Sequence, residues 1–572
     1  MRYRKKSANL NVLNNTKTLE SQEMTLDTLP EIVAHHAQST PDKVWLRDLL
    51  EEGGEEYTWS ESHGQISAIA AMLEARFGQN EKMVVLSRNR AHWVLADMAI
   101  ITSGNVTVSM FTTLPGATAD YILQLTQAKV IFLGETTNWD QVKAVMPEDT
   151  LVVTLPGVDL EEPHLKWDDL LLEWQGKAPA YEPKPEDMIS LVFTSGTTGM
   201  PKGVIQTHNS NLLPIRRFSV SLGIRETPTY FSYLPLSHIA ERQIVEFSSI
   251  EFGGEINFNE AMPHLLRDLQ RTSPNVFFGP PRVWEQFQQA IIGKFGGKEA
   301  LEKALAQDKE GVGKLVLETL GMNDVDYCLT AAAPTPPALI HWWQELGLTL
   351  MEGFGQTEAM GVIMSSHQER RIGSIGKPIG EVEYKITKEG ELAIKADGCT
   401  PGYYNEPEKT AELIRDGWIY TGDKARVDED GFLFITGRVK DYFKTIQGKF
   451  VAPPPIEGEF AKNDHAEQQC LLGRGFSKTV MIAVLTEEAQ GKPEKEVEAS
   501  ILETIKTINA EIEHHARIGA VIITREAWSI ENEVLTPTLK IRREKVEERF
   551  AEKAEQLARS AAEQRELLCH WH

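Results

Sequence analysis

The stretch Leu191-Val-Phe-Thr-Ser-Gly-Thr-Thr-Gly-Met-Pro-Lys-Gly-Val204 constrains this chain more than any other. The apolar run at 189–193 is rich in β-branched and aromatic side chains, which predicts a buried strand. It empties into a loop where Thr194, Ser195, Thr197 and Thr198 are interleaved with Gly196 and Gly199, and Gly203 follows. Glycine lets backbone bend around phosphate oxygens, so such a loop turns N–H groups and small hydroxyls toward one polyanion. Lys202 adds a mobile positive charge. The spacing is not G-x-x-x-x-G-K-[ST], which excludes a Walker A loop. A solvated surface turn is the bland alternative, and the rest of the chain tests it.

Strand-like runs at 83–86, 130–133 and 151–155 alternate with helical patterns at 67–76 and 92–102. This alternation predicts an α/β fold with a largely parallel sheet. Thr28, with Glu31 three residues on, reads as the cap of a first helix. Beyond the loop, Tyr230-Phe-Ser-Tyr-Leu-Pro-Leu-Ser-His-Ile-Ala-Glu-Arg242 is a strand that breaks at Pro235 into a helix start. Residues 275–285 repeat that grammar. Residues 325–329 then lead into Thr330-Ala-Ala-Ala-Pro334, and 348–351 into Glu352-Gly-Phe-Gly-Gln-Thr-Glu358. Loops at the carboxyl ends of parallel strands are where such sheets take ligands.

From Gly390 the texture changes to short strands and turns. Residues 418–423 and 431–441 read as antiparallel strands joined by the turn Asp428-Glu-Asp-Gly431. A domain boundary is expected at Arg438–Asp441. It separates a large domain, 26–438, made of parallel-rich sheets with helices and a small β subdomain, from a small α+β domain, 439–572. Residues 1–25 are polar and aperiodic, which predicts disorder. Val546, Phe550, Ala554, Leu557, Ala561 and Leu568 keep helical spacing and predict a long final helix whose stripe serves packing.

A chain of 572 residues exceeds one ordinary domain, and 41% hydrophobic with 25% charged residues suits a globular protein. With 59 basic and 83 acidic residues the net charge is −24, which argues against nucleic-acid binding and electrostatic docking on anionic membranes. A local basic pocket for a nucleotide remains compatible. Cys328, Cys399, Cys470 and Cys569 form no C-x-x-C pair, which suits a reducing compartment. Without a secretory h-region or a run of about 18 apolar residues, the expectation is a cytoplasmic protein with no transmembrane segment. Peripheral membrane contact and a homodimer stay open.

Taken in order, these motifs resemble the adenylate-forming superfamily across nearly the whole chain. The loop at 191–204 looks like its phosphate loop. Four further strings are similar to long-chain fatty acyl-CoA synthetases: Tyr233-Leu-Pro-Leu-Ser-His-Ile-Ala-Glu-Arg242, Pro281-Arg-Val-Trp-Glu285, Pro401-Gly-Tyr-Tyr404 and Leu535-Thr-Pro-Thr-Leu-Lys-Ile-Arg-Arg543. The resemblance implies a large adenylate-forming domain and a mobile C-terminal domain. It implies a two-step ligation, in which ATP and a fatty acid give an acyl-adenylate and coenzyme A then displaces AMP.

The same resemblance implies the residue roles. Thr194, Ser195, Gly196, Thr197, Thr198, Gly199 and Lys202 would hold the β- and γ-phosphates. Glu358 would hold Mg²⁺, and Thr357 would touch the adenylate phosphate. Lys540 matches the catalytic lysine, although Leu539 replaces the family's usual glycine. Asp423 would accept from the ribose hydroxyls, with Arg438 as an added donor. Gly353, Phe354 and Gly355 would face adenine, with Phe354 standing where the family often has tyrosine. Ala332 lies in Ala331-Ala332-Ala333, where glycine is commoner. His238 would sit beside the substrate carboxylate. Lys440 matches the hinge, and Gly448 the approach to pantetheine. Two rivals stand beside this expectation: a superfamily ligase for another acid or acceptor, and a non-catalytic nucleotide or acyl-adenylate binding protein.

Overall fold

The computed structural model describes residues 26–194, 200–366, 368–529, 532–536 and 540–572. The expected disorder of residues 1–25 falls outside that set. Among the described residues the chain forms two large sheets, a smaller antiparallel sheet and a C-terminal sheet.

The first large sheet has seven strands. Its order is Leu165–Lys166, Leu151–Thr154, Val130–Leu133, Lys82–Leu86, Val106–Met110, Met188–Thr194 and Lys202–Thr207. All neighbours are parallel except the last pair, an antiparallel hairpin. The second has nine strands, with Val44–Leu49, Glu255–Phe258, Thr229–Ser232, Val276–Phe278, Tyr327–Thr330 and Leu350–Gln356 parallel in its middle. Buried on both faces, these strands are continuous apolar runs rather than alternating ones, as at Val130–Leu133.

Helix Ala91–Thr102 is buried at every residue from Ala91 to Ile101. A helix apolar all round belongs inside a molecule. Its core cluster joins Val85, Phe132 and Val153 of one sheet to Tyr230, Ile256 and Val276 of the other. Helix Trp59–Phe77 begins at Thr58, whose hydroxyl accepts from Glu61 N at 3.2 Å. Thr28 N donates to the Glu31 carboxylate at 3.0 Å, as its spacing predicted.

Strands Trp418–Val427 and Leu433–Arg438 pair antiparallel, with Asp423 opposite Arg438. They belong to the small β subdomain of the large domain. In the C-terminal domain the sheet order follows the chain: Ala466–Leu472, Thr479–Leu485, Ile518–Thr524 and Leu568–Trp571. Helix Arg543–Gln564 packs Val546, Phe550, Ala554, Ala558 and Ala561 inward. Leu568 departs from the expected helix. Arg565 turns left-handed at φ +57°, which ends the helix, and Leu568 then pairs with Ala520 as strand. No helix among the described residues is long and apolar enough to cross a membrane.

Candidate active site

The hairpin of the first sheet sets Thr194 opposite Lys202, so the glycine-rich loop springs from a fixed base. Ser195, Gly196, Thr197, Thr198 and Gly199 lie outside the described residues. Residues 401–404 zip along the hairpin's second strand: Ile205 N donates to Gly402 O at 3.0 Å and Tyr404 N to Gly203 O at 2.8 Å. This registration places the Tyr403 ring 4.5 Å from Lys202 Nζ. Tyr403 Oη donates to Glu358 Oε1 at 2.8 Å. One aromatic side chain therefore links the loop's lysine to a carboxylate. Burial holds the Lys202 ammonium below its ordinary value; Glu358 opposes the shift and Lys440 adds to it.

Glu358 sits at the tip of a second hairpin. Residues 352–356 continue the strand Leu350–Gln356 instead of forming a loop, because Ala359–Met364 supplies an apolar antiparallel partner. Gly353 lies opposite Met364 and Phe354 opposite Ile363. Phe354 packs, partly buried, against the core cluster that includes Ile363, Leu392 and Leu433. A Cβ at Gly355 would stand 3.1 Å from Met360 Sδ and 3.2 Å from Gly361 N, so the hairpin packs tightly at this position. Thr357 and Glu358 are left at the turn, held from behind. Gln206 Nε2 donates to Thr357 O at 2.9 Å, and Thr400 N donates to Glu358 O at 2.9 Å. Ala332 follows the adjacent strand Tyr327–Thr330 with φ +72°. That conformation costs alanine about 1–2 kcal/mol more than glycine, which accounts for glycine being commoner there.

Asp423 is 5% exposed and lies between two donors. Arg438 Nε is 2.8 Å from Oδ1, and Gln356 Nε2 donates to Oδ2 at 2.5 Å. Burial pushes the Asp423 carboxyl up, while Arg438, Gln356 and Lys540 draw it back.

Lys540 reaches this cluster from the C-terminal domain. Its backbone is fixed by a tight loop: Thr536 N donates to Lys540 O at 2.8 Å, and Lys540 N to Thr536 Oγ1 at 3.0 Å. It stands in a cleft, open to water on its own surface yet crowded by protein around it. That crowding lowers its ammonium first. Arg438 lowers it further, and Asp423 and Glu358 oppose. The charge of Lys540 also reaches His238, whose imidazole is lowered to about 4, chiefly by burial. Ala240 N donates to His238 Nδ1 at 3.2 Å, so the neutral ring carries its proton on Nε2.

The backbone before His238 is clamped on both sides. Buried Glu241 accepts from Ser232 Oγ at 2.8 Å and Tyr233 N at 3.0 Å. Asn89 Nδ2 donates to Leu234 O at 2.6 Å, and its Oδ1 accepts from Leu236 N at 3.0 Å. Burial pushes the Glu241 carboxyl up to about 8.

Charge thus links Lys202 with Glu358 and Lys440, Lys540 with Arg438, Asp423 and Glu358, and Lys540 with His238, while Thr357 stands next to Glu358 at the hairpin turn. Gly448 is elsewhere: at φ +72° it makes the turn between Phe443–Lys444 and Phe450–Val451, where Gly448 N donates to Thr445 O at 2.9 Å. Tyr403 and Gln356 were missed as site residues, although both lie inside strings singled out in the sequence. Among the described residues no three His, Cys, Asp or Glu side chains gather into a metal site. A single carboxylate, Glu358, does fit Mg²⁺, which takes its remaining oxygens from nucleotide phosphates and water.

Comparison with known proteins agrees with this geometry. A family model described as AMP-binding enzyme matches residues 33–404, and one described as AMP-binding enzyme C-terminal domain matches 440–562. Fatty acyl-CoA synthetase A of Dictyostelium discoideum is 28% identical over 91% of this chain and 89% of its own. Long-chain-fatty-acid–CoA ligase FadD15 of Mycobacterium bovis is also 28% identical, over 92% and 96%. Among solved structures, the adenylation domain of a carboxylate reductase from Mycobacterium chelonae superposes with a TM-score of 0.79 at 20% identity, over 94% of this chain and 92% of that one. An o-succinylbenzoate CoA synthetase from Bacillus subtilis gives 0.70 at 18% identity, over 90% and 97%.

Proposed function

This chain belongs to the AMP-binding enzyme family, and from that premise we propose that it ligates a medium- or long-chain fatty acid to coenzyme A, with ATP converted to AMP and pyrophosphate. The observation that carries the reading is that the charge of Lys540, from the small domain, is felt by Asp423 and His238 of the large one and itself feels Arg438 and Glu358. A site that assembles from two domains around opposed charges suits a reaction in which anions must be brought together.

In the first step a carboxylate oxygen bonds to the α-phosphorus, and the bond to pyrophosphate breaks. Both reactants are negative, so positive charge and in-line positioning are required. Lys540 stands to bridge carboxylate and α-phosphate and to stabilise the charge that develops between them. Lys202 and the loop 194–199 hold the departing phosphates. Glu358 would hold Mg²⁺, which would supply neutralisation of phosphate charge. Thr357, beside it, faces the α-phosphate. Asp423 accepts from the ribose hydroxyls, with Arg438 as an added donor. Gly353, Phe354, Gly355 and Ala332 form the adenine side. Neutral His238 can donate from Nε2 to the acid's oxygen.

In the second step the thiol of coenzyme A loses its proton and attacks the acyl carbon, and the bond to AMP breaks. Lys540 must leave first. We place the division between domains at 438/439 and the hinge at Lys440, so that rotation exchanges Lys540 for the hairpin carrying Gly448.

The acid is read from the named activities of the 28% identical relatives and from the motif strings. Tyr230, Phe277 and Trp284 are packed core, and Tyr233 Oη donates to Phe278 O at 2.9 Å. Chain-length dependence tests the assignment. Each methylene buried is worth about 0.8 kcal/mol, so kcat/KM with ATP, Mg²⁺ and coenzyme A should climb about fourfold per CH₂ from hexanoate until the pocket ends. A flat response, or a maximum at benzoate or cinnamate, would overturn the fatty-acid assignment and leave adenylation standing. Loss of ATP–pyrophosphate exchange with every acid would overturn the enzyme itself.

A further inference from the structure

An ion pair crosses between the two domains: Arg282 Nη2 lies 2.6 Å from Glu467 Oε1. We propose that Arg282 and Glu467 are positioning residues, a latch that holds the small domain in the orientation that delivers Lys540 to the cleft. The inference rests on the two-step reading above.

Arg282 is in the first turn of helix Pro281–Lys294, just past the strand Val276–Phe278 of the nine-stranded sheet. Glu467 is on Ala466–Leu472, the first strand of the C-terminal sheet. That strand is tied at two points to the segments that flank the Lys540 loop in the chain. Gln468 and Trp528 exchange bonds, Gln468 Nε2 to Trp528 O at 3.2 Å and Trp528 N to Gln468 Oε1 at 2.9 Å. Arg543, three residues after Lys540, donates to Leu471 O at 2.7 Å and to both oxygens of Glu457 at 2.7 and 2.9 Å. A pull on Glu467 therefore moves a body that includes Lys540.

The pair also has the properties a releasable contact needs. Both side chains are partly exposed, 44% for Arg282 and 38% for Glu467, so separating them strands no buried charge. Arg282 has a second carboxylate at hand. Glu285 lies one turn along the same helix, and the Arg282 charge lowers a carboxyl that burial raises. On rotation the arginine can turn to Glu285 while Glu467 meets water. A contact of this strength biases an equilibrium without locking it.

The test compares the two half-reactions in the full-length protein. ATP–pyrophosphate exchange reads the first, and coenzyme A-dependent turnover of supplied acyl-adenylate reads the second. Glu467→Gln should lower the first about two- to fivefold and leave the second unchanged or faster. Glu467→Arg, which sets two guanidinium groups together, should lower it further. The swap Arg282→Glu with Glu467→Arg should return exchange to within about twofold of the wild type, a rescue that a role in folding alone would not give. The wild-type advantage over Glu467→Gln should shrink as salt screens the pair. Equal rates in both half-reactions for Glu467→Gln and Glu467→Arg would overturn the latch alone, as would equal losses in both, or a swap no better than Glu467→Arg. Absence of exchange in the wild type with every acid would overturn the reading of function and the latch with it.

Discussion

Lys540 shows what a single charge owes to its surroundings. On a solvated helix it would be one of the chain's 59 basic residues. In the cleft it is crowded by protein, opposed by Arg438 and drawn by Asp423 and Glu358. Removing a preorganised donor from a developing charge costs about 3–4 kcal/mol. Lys540→Ala should therefore slow acyl-adenylate formation by about 10²–10³-fold while conversion of supplied acyl-adenylate to thioester persists. Single-turnover assays of each half-reaction check this, and equal losses would remove the assigned role. Lys540, Asp423 and Glu358 stood out in the sequence because short strings surround them. Tyr403 and Gln356 did not. Their partners lie 45 and 67 residues away in the chain, at Glu358 and Asp423, and only the paired strands reveal those meetings.

At the scale of elements, strands and helices were legible wherever apolar residues dominated a run, as at Met188–Thr194 and Ala91–Thr102. Residues 352–356 were not, because two glycines mask a strand whose partner follows it in the chain. Leu568 kept helical spacing by coincidence beyond a left-handed stop at Arg565. The break at Pro235 was legible, but the Glu241 and Asn89 clamp that holds it was not. That clamp gives stability a pH dependence with a definite sign. An unfolded glutamate releases its proton near pH 4.5, whereas folded Glu241 keeps it to about 8. The folded state loses ground as pH rises through that window, by an amount on the order of a few kcal/mol. Glu241→Gln cannot ionise and should escape the loss. Denaturant midpoints at pH 5, 7 and 9 should show the variant gaining on the wild type as pH rises. A constant gap would mean that Glu241 is ionised in the folded protein.

For the whole molecule, the two-domain division was legible as a change of texture, while the orientation of the domains was not, because it is set by contacts between residues far apart in the chain, such as Arg282 with Glu467. If Lys440 is the pivot, fixing its φ should freeze the molecule in the arrangement that brings Lys540 to the cleft. Proline does so and removes an N–H. Lys440→Pro should retain ATP–pyrophosphate exchange within a few-fold of the wild type and lose most thioester formation. Both activities intact would place the pivot elsewhere.

The strand order of the C-terminal sheet bears on how the protein is made. Each strand joins the sheet in the order of synthesis, and Leu568–Trp571, pairing along Ile518–Thr524, arrives after all the others. Asp423, Arg438 and Glu358 belong to a domain that emerges earlier and folds as its own unit. A nascent chain can thus present the nucleotide-facing groups while the sheet that supports Lys540 is still short of a strand. If Lys540 acts as proposed, adenylate chemistry should begin only when that sheet closes.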